Sequence, residues 1–358
     1  MSLKHRLKGT LREGYARLLY HTGLHRLVNR LAPRRLTILF GHCIADPGIN
    51  GFLPDDMKME ERTLRRVLSW FKGNGYGLTN VQAGVAELSR SPRGPSLVAL
   101  TMDDGYLDNR ARLLPILQDF GASATIFLES RPLDERGVNW SHKYHWVIQD
   151  GDVAGFVRRY LAISSDEPVK AKLRAALEQG GPKLAYRAKL VFKYDAEARD
   201  RDATIQRIFS EAGGDERALC DQLYLDWPRA KELAAAGIEL GGHTVSHVIL
   251  SRLSAEEQAA EIGGCRRSLE RQLGDRTGRT FAYPFGRSWD FDAHSRRAAT
   301  ECGFELAVDT HNGTNEAGSD RLALKRVPVD DRTPLHLLVA EACGGFALLR
   351  RLGLNLSE

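Results

Sequence analysis

The sequence predicts an α/β protein built on a parallel sheet of seven strands. Three observations predict it: short β-rich runs alternate with helical patterns from about residue 36, there are seven such runs, and polar or glycine-containing motifs follow directly on four of them. Seven strands fit a closed barrel better than an open sheet, although alternation alone leaves that choice open.

In chain order, the expected strands cover 36–44, 96–102, 123–128, 238–240, 280–283, 304–308 and 322–329. Between them, apolar residues recur at helical spacing over 60–72, 111–120, 227–236, 255–273 and 292–302. The rhythm breaks once. Residues 130–225 hold helical patterns such as 154–163 and 171–179 but no convincing strand. That is too long for an ordinary loop, so it reads as a helical insertion between the third and fourth strands. It opens on Trp140, His142, Tyr144, His145 and Trp146. Clustered aromatics of this kind usually build a small core, and a wall for stacking sugars is the less favoured reading. The expected organisation is a basic arm (1–35), a barrel (36–345) containing the insertion, and a tail (346–358).

Composition narrows the function classes. The 358 residues carry a formal charge of +5, with 42% apolar and 27% charged residues, which excludes wholesale disorder. No run approaches the roughly 18 apolar residues of a membrane-spanning helix. Lys4, Arg6, Lys8, Arg12 and Arg17 recur too closely to leave the apolar stretch of a signal peptide. Five cysteines (Cys43, Cys220, Cys265, Cys302, Cys343) lie far apart and read as reduced thiols, so a cytoplasmic location is expected. Residues 1–35 hold nine Lys/Arg against Glu13, a net +8, which leaves −3 for the remainder. A slightly acidic body argues against nucleic acid as a partner. In the arm, Leu3, Leu7, Leu11, Leu18 and Leu19 recur near helical spacing. The favoured reading packs this stripe on the body. The alternative lays it on an anionic membrane.

The chemistry sits at the strand ends, where a parallel barrel builds its active site. The second strand runs into Asp103-Asp104-Gly105. Adjacent carboxylates repel, so both stay ionised only beside a cation or a set of donors. A metal would satisfy one and leave the other poised as a base; a simple turn is the bland alternative. The fourth strand runs through Gly241 and Gly242 into His243-Thr244-Val245-Ser246-His247. Two glycines would allow a tight turn, and one helical turn would set both imidazoles on one side. Two imidazoles and one carboxylate make a three-ligand site with an open position. The fifth strand ends in Tyr283-Pro284-Phe285-Gly286, where Pro284 would aim the Phe285 amide inward as an oxyanion donor. The first strand carries His42 to the same face.

Taken together and in chain order, these motifs resemble the polysaccharide deacetylases of the NodB-homology type, carbohydrate esterase family four. Thr101–Gly105 is similar to that family's T-F-D-D-G motif, His243–His247 to its H-[ST]-x-x-H motif, and Phe281–Gly286 to its proline-containing third motif. The resemblance implies a distorted (β/α)7-type barrel and one divalent metal ion, usually zinc. It implies Asp104, His243 and His247 as metal ligands, Asp103 as general base and the Phe285 amide as oxyanion donor. The substrate it implies is an acetylated saccharide of a polysaccharide, glycolipid or nucleotide-sugar precursor, and the expected lack of a signal peptide, unlike many members, points to a nucleotide- or lipid-linked precursor rather than finished polymer. For the acid, the circularly permuted branch would point to His42 and the common order to a C-terminal histidine, of which His336 is the nearest. His42 is preferred because it follows a strand, although Gly41 stands where that branch has tyrosine. Ala282 replaces an arginine that orients the base in many members, so another group must position Asp103. The competing readings are a hydrolase of small cyclic or linear amides, a non-catalytic saccharide-binding protein and a non-haem iron oxygenase.

Overall fold

The computed structural model describes residues 3–91, 93–274, 278–354 and 356, with the side chains of residues 3–7 outside the description. The chain forms two compact units: Met1–Asp46 with Asp56–Asp134 and Tyr224–Glu358, and Pro47–Asp55 with Glu135–Leu223.

In the first unit, seven parallel strands close on themselves. They are β1 (Arg35–Gly41), β2 (Leu97–Met102), β3 (Ala124–Leu128), β4 (Glu239–Gly242), β5 (Thr280–Ala282), β6 (Leu306–Asn312) and β7 (Leu324–Pro328). Closure runs through β1, which pairs with β2 from Leu36↔Leu97 to Gly41↔Met102 and with β7 at Ile38↔Arg326. The ring is uneven. β4 and β5 share the single register Gly242↔Phe281, and the β6–β7 ladder shifts between Leu324 and Arg326. Two short strands lean on the outside, Gly77–Thr79 parallel to β2 and Asn315–Glu316 antiparallel to β1. The distorted (β/α)7 barrel is therefore the fold.

Side-chain alternation explains the two cores. Leu36, Ile38, Leu97, Ala99, Phe127, Ala282, Leu306, Val308 and Leu324 face into the barrel, while their neighbours Leu39, Val98, Leu100 and Ala307 pack beneath the surrounding helices. The helix Val81–Arg90, absent from the sequence expectations, contributes Val81, Val85 and Leu88 to the inner core and so plugs the barrel. Its first turn meets a buried carboxylate: Glu239 accepts hydrogen bonds from the Gln82 N–H (3.1 Å), the Thr125 hydroxyl (2.7 Å) and the Thr280 hydroxyl (2.8 Å). Burial pushes the Glu239 carboxyl above its ordinary value, against the pull of these donors. Because the folded value is raised, this group's contribution to stability falls as pH rises through it. Glu239→Ala leaves these donors unmet and is expected to cost about 2 kcal/mol. Glu239→Gln should weaken the decline of Tm with rising pH. Thermal melts across the pH range check both, and an unchanged Tm in the alanine variant would contradict the argument.

The N-terminal helices Leu3–Thr22 and Leu24–Leu31 pack on the helices Leu335–Ala342 and Gly345–Arg351 through Ala16, Leu19, Ala340, Cys343 and Phe346. Only part of the leucine stripe is buried this way, since Leu11 and Leu18 face solvent. Leu3 and Leu7 lie outside the described side chains.

The second unit is helical and has its own core of Trp140, Tyr144, Phe156, Val157, Tyr160, Leu173 and Phe192. Its aromatic opening thus packs inward: Tyr144 meets Phe156 edge-on at 4.9 Å and Trp146 meets Phe209 at 5.0 Å.

Candidate active site

The motif residues gather at the C-terminal ends of the barrel strands. Asp103 continues the inward alternation of β2 and hydrogen-bonds through its backbone N–H to Gly41 O at 3.0 Å. Asp104 would then point outward, but its φ of 72° turns the chain back. Left-handed backbone is costly for a residue with a Cβ, and such strain concentrates where function demands a particular direction. Of the five non-glycine residues with positive φ among the described residues, four are Asp104, Thr244, His247 and Phe285.

The histidine motif differs from its expected geometry. His243 and His247 sit on an irregular loop, not on a helical turn. Their approach depends on the left-handed residues Thr244 (φ 66°) and His247 (φ 54°). Gly241 and Gly242 make no turn; they lie within β4. A Cβ on Gly241 would sit 2.7 Å from Phe127 Cδ1, and one on Gly242 would sit 2.7 Å from Phe304 Cζ, so close packing is what requires glycine there. Glu261, which sequence reasoning passed over, clamps the loop. Its carboxylate accepts the N–H groups of Val245 and Ser246, both at 3.0 Å, and the Ser246 hydroxyl at 2.7 Å.

Three potential ligand atoms converge. Asp104 Oδ1 lies 3.4 Å from His243 Nε2 and 3.3 Å from His247 Nε2, and the three residues form the one cation-sized His/Cys/Asp/Glu group among the described residues. His243 Nδ1 hydrogen-bonds Ala282 O at 2.7 Å, which leaves Nε2 facing the carboxylate. Asp104 Oδ2 accepts the Tyr106 hydroxyl at 2.7 Å, while the buried Oδ1 has no hydrogen-bond partner. Burial alone would raise the Asp104 carboxyl, but His247, His243 and His42 together hold it well below its ordinary value. An anionic oxygen left unpaired between two imidazoles fits a divalent cation.

Asp103 has a different partner. Arg326, fully buried on β7, donates from both terminal nitrogens to its two carboxylate oxygens, at 2.7 and 2.9 Å. The guanidinium also donates to Asp309 O (2.8 Å) and lies 4.5 Å from the centre of the Phe40 ring. Burial would raise Asp103, yet Arg326 and then His243 bring it below the ordinary carboxylate value. Arg326 is thus the group that positions Asp103 in a chain with Ala282 at the third motif. Its signal was legible: it lies two residues from Leu324, on the inward face of an apolar strand.

His42 is half-buried just beyond β1, and its charge lowers both Asp103 and Asp104. Phe285 (φ 62°) sets its ring edge-on to His247 at 4.7 Å, and Thr310 pins its turn by hydrogen bonds to Phe285 O (3.1 Å) and Gly286 O (2.9 Å). His336 is engaged elsewhere: its Nε2 meets Glu13 Oε1 of the N-terminal helix at 2.7 Å.

The chain is similar to several known proteins. Residues 196–307 match the family model for polysaccharide deacetylase, a stretch that contains His243, His247 and Phe281–Gly286. Over 298 residues the chain is 20% identical to YxkH of Bacillus subtilis (strain 168), a protein assigned to the polysaccharide deacetylases, covering 83% of this chain and 72% of that one. Among solved structures, it resembles the Streptococcus pyogenes deacetylase PplD in complex with acetate, with TM-score 0.56, 18% identity, and coverage of 87% of this chain and 99% of that one. It also resembles IcaB from Ammonifex degensii, with TM-score 0.53, 16% identity and coverage of 87% and 97%.

Proposed function

We propose that the chain is a member of the polysaccharide deacetylase family and, within it, a metal-dependent hydrolase removing acetyl groups from N-acetylated sugars of a polysaccharide, glycolipid or nucleotide-sugar precursor. The observation that carries this reading is the pairing of a cation-sized cluster (Asp104, His243, His247) with an adjacent carboxylate held ionised by Arg326. The cluster would hold one divalent ion, zinc by its donor set, which supplies a Lewis acid beside the acetamide carbonyl.

The remaining chemistry belongs to the chain. Asp103 takes a proton from the attacking water; each of its oxygens keeps a second lone pair after accepting from Arg326. The Phe285 N–H donates to the carbonyl oxygen as negative charge develops there. A protonated His42 then delivers a proton to the departing amine. The loop that carries Phe285 also carries Trp289, a residue 59% exposed although its backbone oxygen is held by the Ser251 hydroxyl at 2.6 Å. Arg287 lies over the ring, 5.4 Å from its centre, and the exposed remainder of this aromatic favours a saccharide over a small cyclic amide.

The test is acetate release from N-acetylated sugars by protein reloaded with zinc. His42→Ala is expected to lower kcat on the order of 100-fold or more while one metal per chain remains bound. Near-normal turnover in that variant would remove His42 from the acid role.

A further inference from the structure

Eight of the ten exposed large hydrophobic side chains among the described residues are leucines of the N-terminal helices or the C-terminal end. Leu11 (54%), Leu18 (52%), Leu27 (53%) and Leu31 (77%) come from the first pair of helices, Leu348 (43%) from the last, and Leu352 (67%) from the residue that follows it. Isolated exposed leucines are ordinary, but such a concentration on one packed layer marks an interaction surface. The inner face of this layer is already committed, through the buried Ala16, Leu19 and Phe346 and the Tyr15 hydroxyl on Gly345 O.

Charge identifies the partner. Between residues 8 and 31 the layer carries Lys8, Arg17, Arg26 and Arg30 against Glu13 alone, while Arg12 lies over the buried Phe346 ring on the inner face. That one carboxylate is engaged by Arg17 and His336. Beside the last helix lies an open basin of about 380 Å³ whose lining includes Lys325, Arg350 and Arg351, the hydroxyls of Thr314 and Ser319, and one acid, Glu316, with Arg351 paired to Glu316 and Arg350 to Glu341. Leucines among arginines, next to a cationic hydroxyl-lined basin, suit acyl chains and phosphate head groups together.

We propose that this layer docks the protein on an anionic phospholipid surface. Leu31 and Lys325 lie at the N-terminal ends of β1 and β7, whereas Asp103 and His243 follow the C-terminal ends of their strands. Docking through the former leaves the barrel mouth open to substrate. The inference stands on the layer alone and does not depend on the deacetylase reading.

The experiment is co-sedimentation of the full chain with vesicles, either pure phosphatidylcholine or containing about one-third phosphatidylglycerol, at about 0.1 M salt. The wild type should bind the anionic vesicles selectively. Leu27→Asp with Leu31→Asp should weaken binding by about tenfold or more, with unchanged far-ultraviolet circular dichroism and unchanged hydrolysis of a soluble substrate. No vesicle binding by wild type, or equal binding by both proteins, would overturn the proposal. So would a dimer in light scattering that the double variant abolishes in the absence of lipid binding, since it would assign the face to a second copy of the chain.

Discussion

Arg326→Met is expected to lower kcat about 100-fold to 1000-fold while leaving metal stoichiometry at one per chain. Arg326 donates to Asp103, Thr101 Oγ1 and Asp309 O; its role is to orient and charge-balance Asp103 through two hydrogen bonds. Without it, a buried carboxylate loses its counter-charge, so Asp103 should be driven toward its protonated form and fail as a base. The acid limb of the rate profile should therefore move to higher pH. Removing one member of a buried pair also costs about 3–5 kcal/mol. Arg326→Lys separates the two effects: it keeps a charge but loses the two-pronged geometry, so it should be more stable than the methionine variant while recovering only part of the rate. A methionine variant with a normal pH profile would show that Arg326 serves the barrel core and not the base.

The second large effect separates the base from the metal cluster. Asp103→Asn should abolish measurable turnover and retain the metal, whereas His247→Ala should lose tight metal binding itself. The measurement is elemental analysis after stripping and reloading with zinc, alongside acetate release. The geometry favours this division. Asp104 Oδ1 lies within 3.4 Å of both imidazoles, while both oxygens of Asp103 are taken up by arginine. Loss of metal in Asp103→Asn would reassign that residue as a ligand. Tight metal retained in His247→Ala would remove the cluster as the binding site.

Much of this arrangement is readable from local pattern. The seven strands follow from β-rich runs punctuated by turn residues, and their order around the barrel is their order in the chain. Asp103, Asp104, His243 and His247 stand out because paired acids and spaced histidines directly after strands are hard to explain as structure alone. Strand boundaries are less legible. Gly241 and Gly242 look like a turn, and only the close approach of Phe127 and Phe304 shows why they belong to β4. The plugging helix Val81–Arg90 went unread for a similar reason, since its buried face meets the barrel interior and not a neighbour in sequence.

Strand count, the alternation that points side chains inward, and the residue types delivered to the barrel mouth are all written in local sequence. These depend on interactions between residues a few positions apart, which a linear pattern records. Tertiary structure decided which group balances Asp103, and it chose Arg326, 223 residues away. It also took His336 out of the site by giving it Glu13, and it left the outer leucines of the terminal helices uncovered. Such pairings depend on barrel closure between β1 and β7, because only then do distant residues share one buried space and the cost of leaving a charge there unpaired come into force.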